Sequence, residues 1–346
     1  MRTLLLGAAS AAALLAPAAA QADTPGYVDV SAGQLSIENE DLTDITLSGA
    51  GAVDVWSGWR AQFDGTVDRM NDGGFAVTFS NFEGHLYTES QGWAWGVVLS
   101  ETDLGFANDY SLGLEGQATF GQFVLEGGAG LGSIEAFGDN ANTTSADVDL
   151  TWYASDNFSL DAGANYYDSD DAFGVVTSYT VGGEYQFSGS SNSVFAGYTW
   201  TNYDDVDVDG DSWRIGFRHA FGDDTLAARR QNGPRWLPKA NSTALFGFGP
   251  SDRRLKRDIA WLGVTQNGIN IYMFRYTWSD TAYVGVMAQE LLADARFRHA
   301  VVRQPNGFYA VNYAKLGMRM TTLDVWQADG LQSVLWTPAM DERRAA

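Results

Sequence analysis

Ser251 and Lys256 stand five residues apart in the stretch Ser251-Asp252-Arg253-Arg254-Leu255-Lys256-Arg257-Asp258-Ile259. That spacing lets a hydroxyl and an amine meet across a turn or an irregular strand. A serine so placed has a base for its proton, provided the lysine is desolvated enough to give up its own. The chemistry would be nucleophilic attack on a carbonyl. The same spacing also fits a solvated basic loop, because a serine and a lysine this close occur in most chains. Arg254 and Arg257 would lower the lysine's pKa by like-charge repulsion, weakly where solvent screens them.

Three ordered blocks follow. They are Phe274-Arg275-Tyr276-Thr277-Trp278, then Tyr283-Val284-Gly285-Val286-Met287-Ala288-Gln289-Glu290, then Ala300-Val301 with Gly307-Phe308-Tyr309-Ala310-Val311-Asn312-Tyr313. With the Ser251 stretch they resemble the intramolecular chaperone domain that ends phage endosialidase tail spikes. That domain also ends other phage fibres and some eukaryotic membrane-bound transcription factors. The resemblance spans roughly 70 residues, about half a typical domain. It implies a module that trimerises, helps fold the protein upstream, and then cuts itself off just before the serine. Ser251 and Lys256 match the positions of the family's dyad, so the implied scissile bond is Pro250–Ser251. Gln289 and Glu290 either orient the dyad or satisfy buried backbone groups. Two features depart from the family pattern. Pro250 fixes φ directly before the nucleophile and stiffens the scissile segment. The tail has Leu316, Met320 and Leu323 at helical spacing but then reaches Ala328-Asp329-Gly330 and Pro338, without the sustained heptads of a trimeric coiled coil.

The chain that must position these residues has 346 of them, enough for two domains. It has no cysteine, which excludes disulfides and thiolate metal sites. The formal net charge is −22, from 21 Lys+Arg against 43 Asp+Glu. The acidic excess lies before residue 223, and the remainder is mildly basic, so two units with different surroundings are expected. The acidic part would repel nucleic acid. The basic part lacks the aromatic–basic interleaving that binds it.

Residues 1–22 read as a secretory signal. Arg2 supplies the positive start, Leu4 to Ala19 the apolar run, and Ala20-Gln21-Ala22 the small-x-small cleavage site. No later span of about 20 apolar residues suggests a membrane helix.

Residues 23–222 alternate with period two, the signal of strands. In one run Tyr110, Leu112, Leu114, Gly116, Ala118 and Phe120 face Ser111, Gly113, Glu115, Gln117 and Thr119. A water-soluble sandwich would alternate as well. Here the segments run to about 10 residues, the length a tilted strand needs to cross a bilayer. Aromatics gather at segment ends, including Trp93, Trp95, Trp152, Tyr166, Trp200 and Trp213. Short links at Ser57-Gly58, Gly121-Gln122 and Ser155-Asp156 alternate with longer acidic ones, such as Ala136 to Ala146. The expected fold is mainly β: an antiparallel up-and-down transmembrane barrel of about 12 strands. The spans are near 27–37, 45–55, 59–68, 75–87, 93–104, 110–120, 123–134, 147–154, 157–166, 175–187, 193–203 and 211–221. Ten strands with an N-terminal extension is the alternative. The segment Arg214 to Phe221 resembles the signal by which the barrel-assembly machinery recognises a final strand, although His219 departs from it. The expected partners are therefore a lipid bilayer, that machinery and a homotrimer. The expected location is the bacterial outer membrane, with the C-terminal domain in the periplasm.

Residues 223–250 read as a linker, punctuated by Gly233-Pro234, Pro238 and Pro250, with Arg229, Arg230 and Arg235 as solvated charges. Residues 251–346 read as a small α+β domain with strands at Ile269 to Trp278 and Tyr283 to Val286 and a helix at Ala288 to Ala293. Asp205-Val206-Asp207-Val208-Asp209-Gly210 has a calcium-loop form, but Gly216 stands where the twelfth-position Glu belongs, which favours a solvated hairpin. His85, His219 and His299 are far apart, so no metal cluster follows from the spacing. No cofactor motif is present. The protein thus reads as an outer-membrane barrel fused to a self-cleaving serine endopeptidase domain. The non-enzymatic alternative is a porin-like pore or surface scaffold with an uncut folding module.

Overall fold

The structure, a computed structural model, describes residues 25–37, 40–71, 76–104, 107–136, 139–169, 174–204, 208–221, 225–236, 249–277, 280–303 and 307–335. The signal, the calcium-like residues 205–207 and the chain from 237 to 248 lie outside them. The chain divides into two compact units, one reaching to Leu245 and one built mainly of Phe246–Ala346.

The first unit is a closed barrel of twelve antiparallel strands, each paired with its neighbours in sequence. The strands are β1 (Gly26–Ile37), β2 (Glu40–Trp56), β3 (Trp59–Asn71), β4 (Ala76–Ser90), β5 (Trp93–Asp103) and β6 (Ala107–Phe120). They continue as β7 (Phe123–Ala136), β8 (Asp139–Ser155), β9 (Phe158–Asp168), β10 (Val175–Gln186), β11 (Asn192–Tyr203) and β12 (Val208–Phe221). β1 closes the ring on β12, with Gly26 opposite Phe221 and Ile37 opposite Gly210. The ends of β1 and β12 therefore share one rim with the tight turns at Ser57-Gly58, Gln91-Gly92, Gly121-Gln122 and Asp156-Asn157. The 12-strand expectation holds, and the 10-strand alternative does not. The links read as long are shorter than expected, because β2 begins at Glu40 and β8 at Asp139. The start of β8 is rich in Asn, Thr and Ser and the start of β2 in Asp and Glu, which read as loop although the backbone ladder continues.

The wall is inverted relative to a water-soluble protein. Ile45, Leu47, Leu99, Leu112, Leu114, Leu131 and Ile215 are exposed outside. Asp29, Asp44, Gln62, Asp64, Asp68, His85, Gln117 and Glu126 are buried inside. Two belts of exposed aromatics flank the apolar surface. Trp56, Trp95, Phe120, Phe123 and Trp152 lie toward the short-turn rim, and Tyr110, Tyr166, Tyr179, Trp200 and Trp213 toward the other. On β6 the belts are ten residues apart, about 34 Å along the strand, or roughly 25 Å along the axis at a tilt near 42°.

Residues 225–236 are not a solvated linker. They form a plug inside the short-turn rim. Thr225 caps α1 (Leu226–Asn232) by accepting from the Ala228 N–H. Leu226 packs on Val124 of β7 and Tyr153 of β8. Trp236 is 1% exposed and packs with Tyr87 and Ala94. Gln62 grips the backbone at both ends of its amide, with Oε1 accepting from Arg235 N at 2.6 Å and Nε2 donating to Trp236 O at 2.7 Å. Gln117 does the same for Arg235: its Nε2 donates to the Arg235 carbonyl at 3.1 Å, and its Oε1 accepts from the guanidinium at 3.1 Å. Arg235 also pairs with Glu89. Arg229 reaches Gln186 at 3.2 Å and Glu184 at 3.7 Å. A cavity of about 380 Å³ remains beside the plug, with Asp149, Asp161, Glu184, Arg214, Arg218 and Arg229 in its lining.

In the second unit β13 (Gly249–Pro250), β18 (Tyr309–Val311) and β17 (Val301–Arg303) form one small sheet in that order. β14 (Lys256–Val264), β15 (Asn270–Tyr276), β16 (Ala282–Gly285) and β19 (Thr321–Thr322) form another. α2 (Ala288–Ala293) follows β16, and α3 (Leu323–Asp329) follows β19. The α+β expectation holds for the elements named. The helical stripe expected through Leu316, Met320 and Leu323 does not. Leu316 sits in a 3-10 turn, Gly317 turns the chain with φ +65°, and α3 starts only at Leu323.

Trp236→Ala is expected to destabilise the folded barrel by about 3–5 kcal/mol, the cost of truncating a buried aromatic. The check is a lower temperature for loss of the compact form in detergent.

Candidate active site

A tight reversal brings Ser251 and Lys256 together. Ser251 follows β13, its N–H donating to Tyr309 O at 3.0 Å and its carbonyl accepting from Ala288 N at 3.0 Å. Asp252 then caps a 3-10 turn, Arg253–Leu255, by accepting from the Arg254 N–H. Leu255 is buried beneath the turn, and Lys256 opens β14 paired with Tyr276. Lys256 Nζ ends 3.5 Å from Ser251 Oγ and 2.7 Å from the Val286 carbonyl. It also lies 3.8 Å from the centre of the Phe274 ring. Ser251 is 0% exposed and Lys256 6%.

The site favours the neutral form of the lysine over the charged one. Burial pushes its pKa well below the ordinary 10.5, against the opposite pull of the Asp252 carboxylate. The cause is desolvation. The flanking arginines invoked from sequence are spent elsewhere, Arg254 on Asp252 at 2.8 Å and Arg257 on Asp280 at 2.5 Å. A neutral amine has two N–H groups and one lone pair. In that form one N–H would serve Val286 O and the lone pair could face the Ser251 proton.

Asp252 is the anchor of the turn. Burial alone would raise its pKa, but hydrogen bonds from Arg254, Gln289 and the Tyr309 N–H hold it below the usual carboxylate value. Gln289 donates to Asp252 at 2.6 Å and accepts from Arg253 N at 2.9 Å, so it braces the turn rather than the dyad. Glu290 faces away, accepting from Tyr272 OH at 2.7 Å and Asn270 Nδ2 at 2.9 Å. Sequence reasoning gave no role to Tyr313, whose hydroxyl lies 3.2 Å from Ser251 Oγ. A signal was nevertheless present. Phe274, Val286 and Tyr313 come one from each of the three blocks, and all three converge on the pair.

A second cluster lies in the barrel lumen. His85 sits between Asp64, 3.0 Å from Nε2, and Glu115, 2.9 Å from Nδ1, with Glu83 at 3.7 Å. The ligand atoms of Asp64, Glu83 and His85 lie within 4.8 Å of one another, a proximity that linear spacing hid. Both ring nitrogens face carboxylates, so each must carry a hydrogen wherever its partner is ionised. Trp236 stacks on the ring at 5.5 Å and 3°.

Comparison with protein-family models and with curated proteins finds no match. Among solved structures, the barrel is similar to the NanC porin, with TM-score 0.44 and 14% identity over 56% of this chain and 98% of that one. It is similar to the KdgM porin in complex with disordered oligogalacturonate, with TM-score 0.41 and 8% identity over 56% and 99%. The translocator domain of the autotransporter NalP from Neisseria meningitidis gives 0.39 and 11% over 62% and 94%. Identities of this order transfer no ligand or activity.

The depressed Lys256 pKa sets a sign for stability. The unfolded chain protonates this lysine below about pH 10.4, whereas the folded site releases the proton. The unfolded state therefore binds more protons, and stability rises with pH from the folded pKa up to the ordinary lysine range. Denaturant titrations at pH 7 to 10 should show this slope in the second unit of a Ser251→Ala chain. A Ser251→Ala/Lys256→Met chain should lack it.

Proposed function

We propose that the protein is an outer-membrane β-barrel, obstructed by its own plug, whose C-terminal module severs the chain at Pro250–Ser251. The membrane reading rests on the inverted wall: an apolar outside, a polar inside and two aromatic belts at bilayer spacing. The self-processing reading is carried by one observation, Lys256 Nζ buried 3.5 Å from Ser251 Oγ in a site that lowers the lysine pKa by desolvation.

The reaction is an intramolecular acyl transfer. Lys256 Nζ takes the Ser251 hydroxyl proton as Oγ bonds to the Pro250 carbonyl carbon. The Pro250–Ser251 C–N bond then breaks, and Lys256 returns the proton to the departing amine of Ser251. Water hydrolyses the resulting ester, leaving a carboxylate on Pro250 and the hydroxyl on Ser251. Nucleophile and carbonyl belong to adjacent residues, so proximity supplies much of the acceleration. The three sequence blocks, similar to those of the tail-spike chaperone domain, support the same reading. That likeness also supports a trimer. The final-strand sequence closing at Phe221 supports insertion by the barrel-assembly machinery. An even barrel returns its end to the side where it began, which supports a periplasmic second domain.

The plug favours a second reading for the barrel alone, as a scaffold or anchor rather than an open pore. Gln62, Gln117 and Glu89 commit buried hydrogen-bonding capacity to holding residues 235–236 in the lumen.

Full-length chain should sediment with outer membranes and migrate in a heat-modifiable way. It should yield a fragment of residues 251–346 on a C-terminal blot, and Ser251→Ala or Lys256→Ala should leave it intact. An unprocessed wild type that is fully folded would falsify the cutting claim. Deleting residues 225–236 should raise single-channel conductance in planar bilayers, and an unchanged conductance would exclude the plug as the obstruction.

A further inference from the structure

We infer that Tyr313 is a third member of the Ser251–Lys256 site, a positioning residue that aims the serine proton at the lysine. The inference rests on the self-processing reading and deepens it. The Tyr313 hydroxyl oxygen accepts from the Val286 N–H at 3.1 Å. A backbone N–H can only donate, so the phenolic hydrogen is turned away from it. Ser251 Oγ stands 3.2 Å from the phenol oxygen, placed to receive that hydrogen. With one lone pair so engaged, the Ser251 O–H rotates toward Lys256 Nζ, whose own N–H is held by the neighbouring Val286 carbonyl. The two polar groups of one residue, Val286, thus orient both sides of the proton transfer. As the proton leaves, charge developing on Oγ meets the Tyr313 O–H donor inside a site closed to solvent.

Gly285 is what lets Tyr313 reach this position. A Cβ at Gly285 would stand 2.4 Å from the Tyr313 hydroxyl oxygen and 3.3 Å from its ring carbon, while its other near neighbour, Met320 Cγ, is 3.5 Å away. The Gly285 backbone lies outside the left-handed region, so alanine is opposed there by the phenol and not by the main chain. Tyr313 is 4% exposed and Gly285 ends β16, so both belong to the packed interior of the second unit.

The test uses refolded full-length chains and follows the rate of appearance of the 251–346 fragment as a function of pH. Tyr313→Phe should slow cutting about tenfold, the order expected for one lost hydrogen bond to a charging oxygen. The pH of half-maximal rate should stay at the wild-type position, since the Lys256 surroundings are untouched. Gly285→Ala should reproduce the defect with the phenol retained. The double variant should be no slower than the slower single one, because both changes remove the same contact. Tyr313→Phe cutting at the wild-type rate would overturn the inference, as would defects that multiply in the double variant, the mark of two unrelated packing losses. A folded wild type that remains uncut removes the self-processing reading and the inference with it. Processed wild type with unaffected Tyr313→Phe removes the inference alone.

Discussion

The twelve-residue ladder between β1 and β12 is the interaction on which the first unit depends. An open sheet of eleven pairings would leave two edges of unpaired N–H and C=O groups. Against hydrocarbon each such group costs several kcal/mol, so closure is a condition for the wall rather than an embellishment of it. Once the ring is closed, side chains divide by parity. One set meets the apolar surroundings and the other is confined to a lumen too narrow to hydrate every group in bulk fashion.

That confinement explains the charge pattern. The barrel strands carry many carboxylates and few cations, and the cations present are heavily shared. Arg218 pairs with Asp29 at 2.8 Å and Glu184 at 2.7 Å. Arg214 lies near both Asp44 and Asp68, and His85 bridges Asp64 and Glu115. The plug adds Arg229 and Arg235 to this acidic interior. Its insertion is therefore electrostatic as well as steric: the segment after the last strand supplies positive charge that the wall itself lacks.

Much of the barrel was legible because period two is a direct consequence of backbone pleating. Tyr110 to Phe120 needed no tertiary information to be read as a strand. The first residues of β2 and β8 were missed because acidic residues in the one and Asn, Thr and Ser in the other give no continuous apolar face. The plug was missed for a different reason. Seven helical residues show no useful periodicity, and Arg235 reads as exposed unless the acidic lumen awaiting it is considered. In the second unit local spacing left the Ser251–Lys256 pair ambiguous, and the ordered blocks after it singled the pair out. Tyr313 lies sixty-two residues from Ser251 and is brought to it only by the pairing of β13 with β18. Long-range convergence of that kind leaves no periodic trace in a single sequence.

The order of features along the chain has one more effect. Arg235 and Trp236 precede Pro250 in the chain, so the proposed cut would leave them with the barrel. Under the proposed cut, the residues that hold the plug and those of the Ser251–Lys256 pair would form separate sets, each open to change without the other.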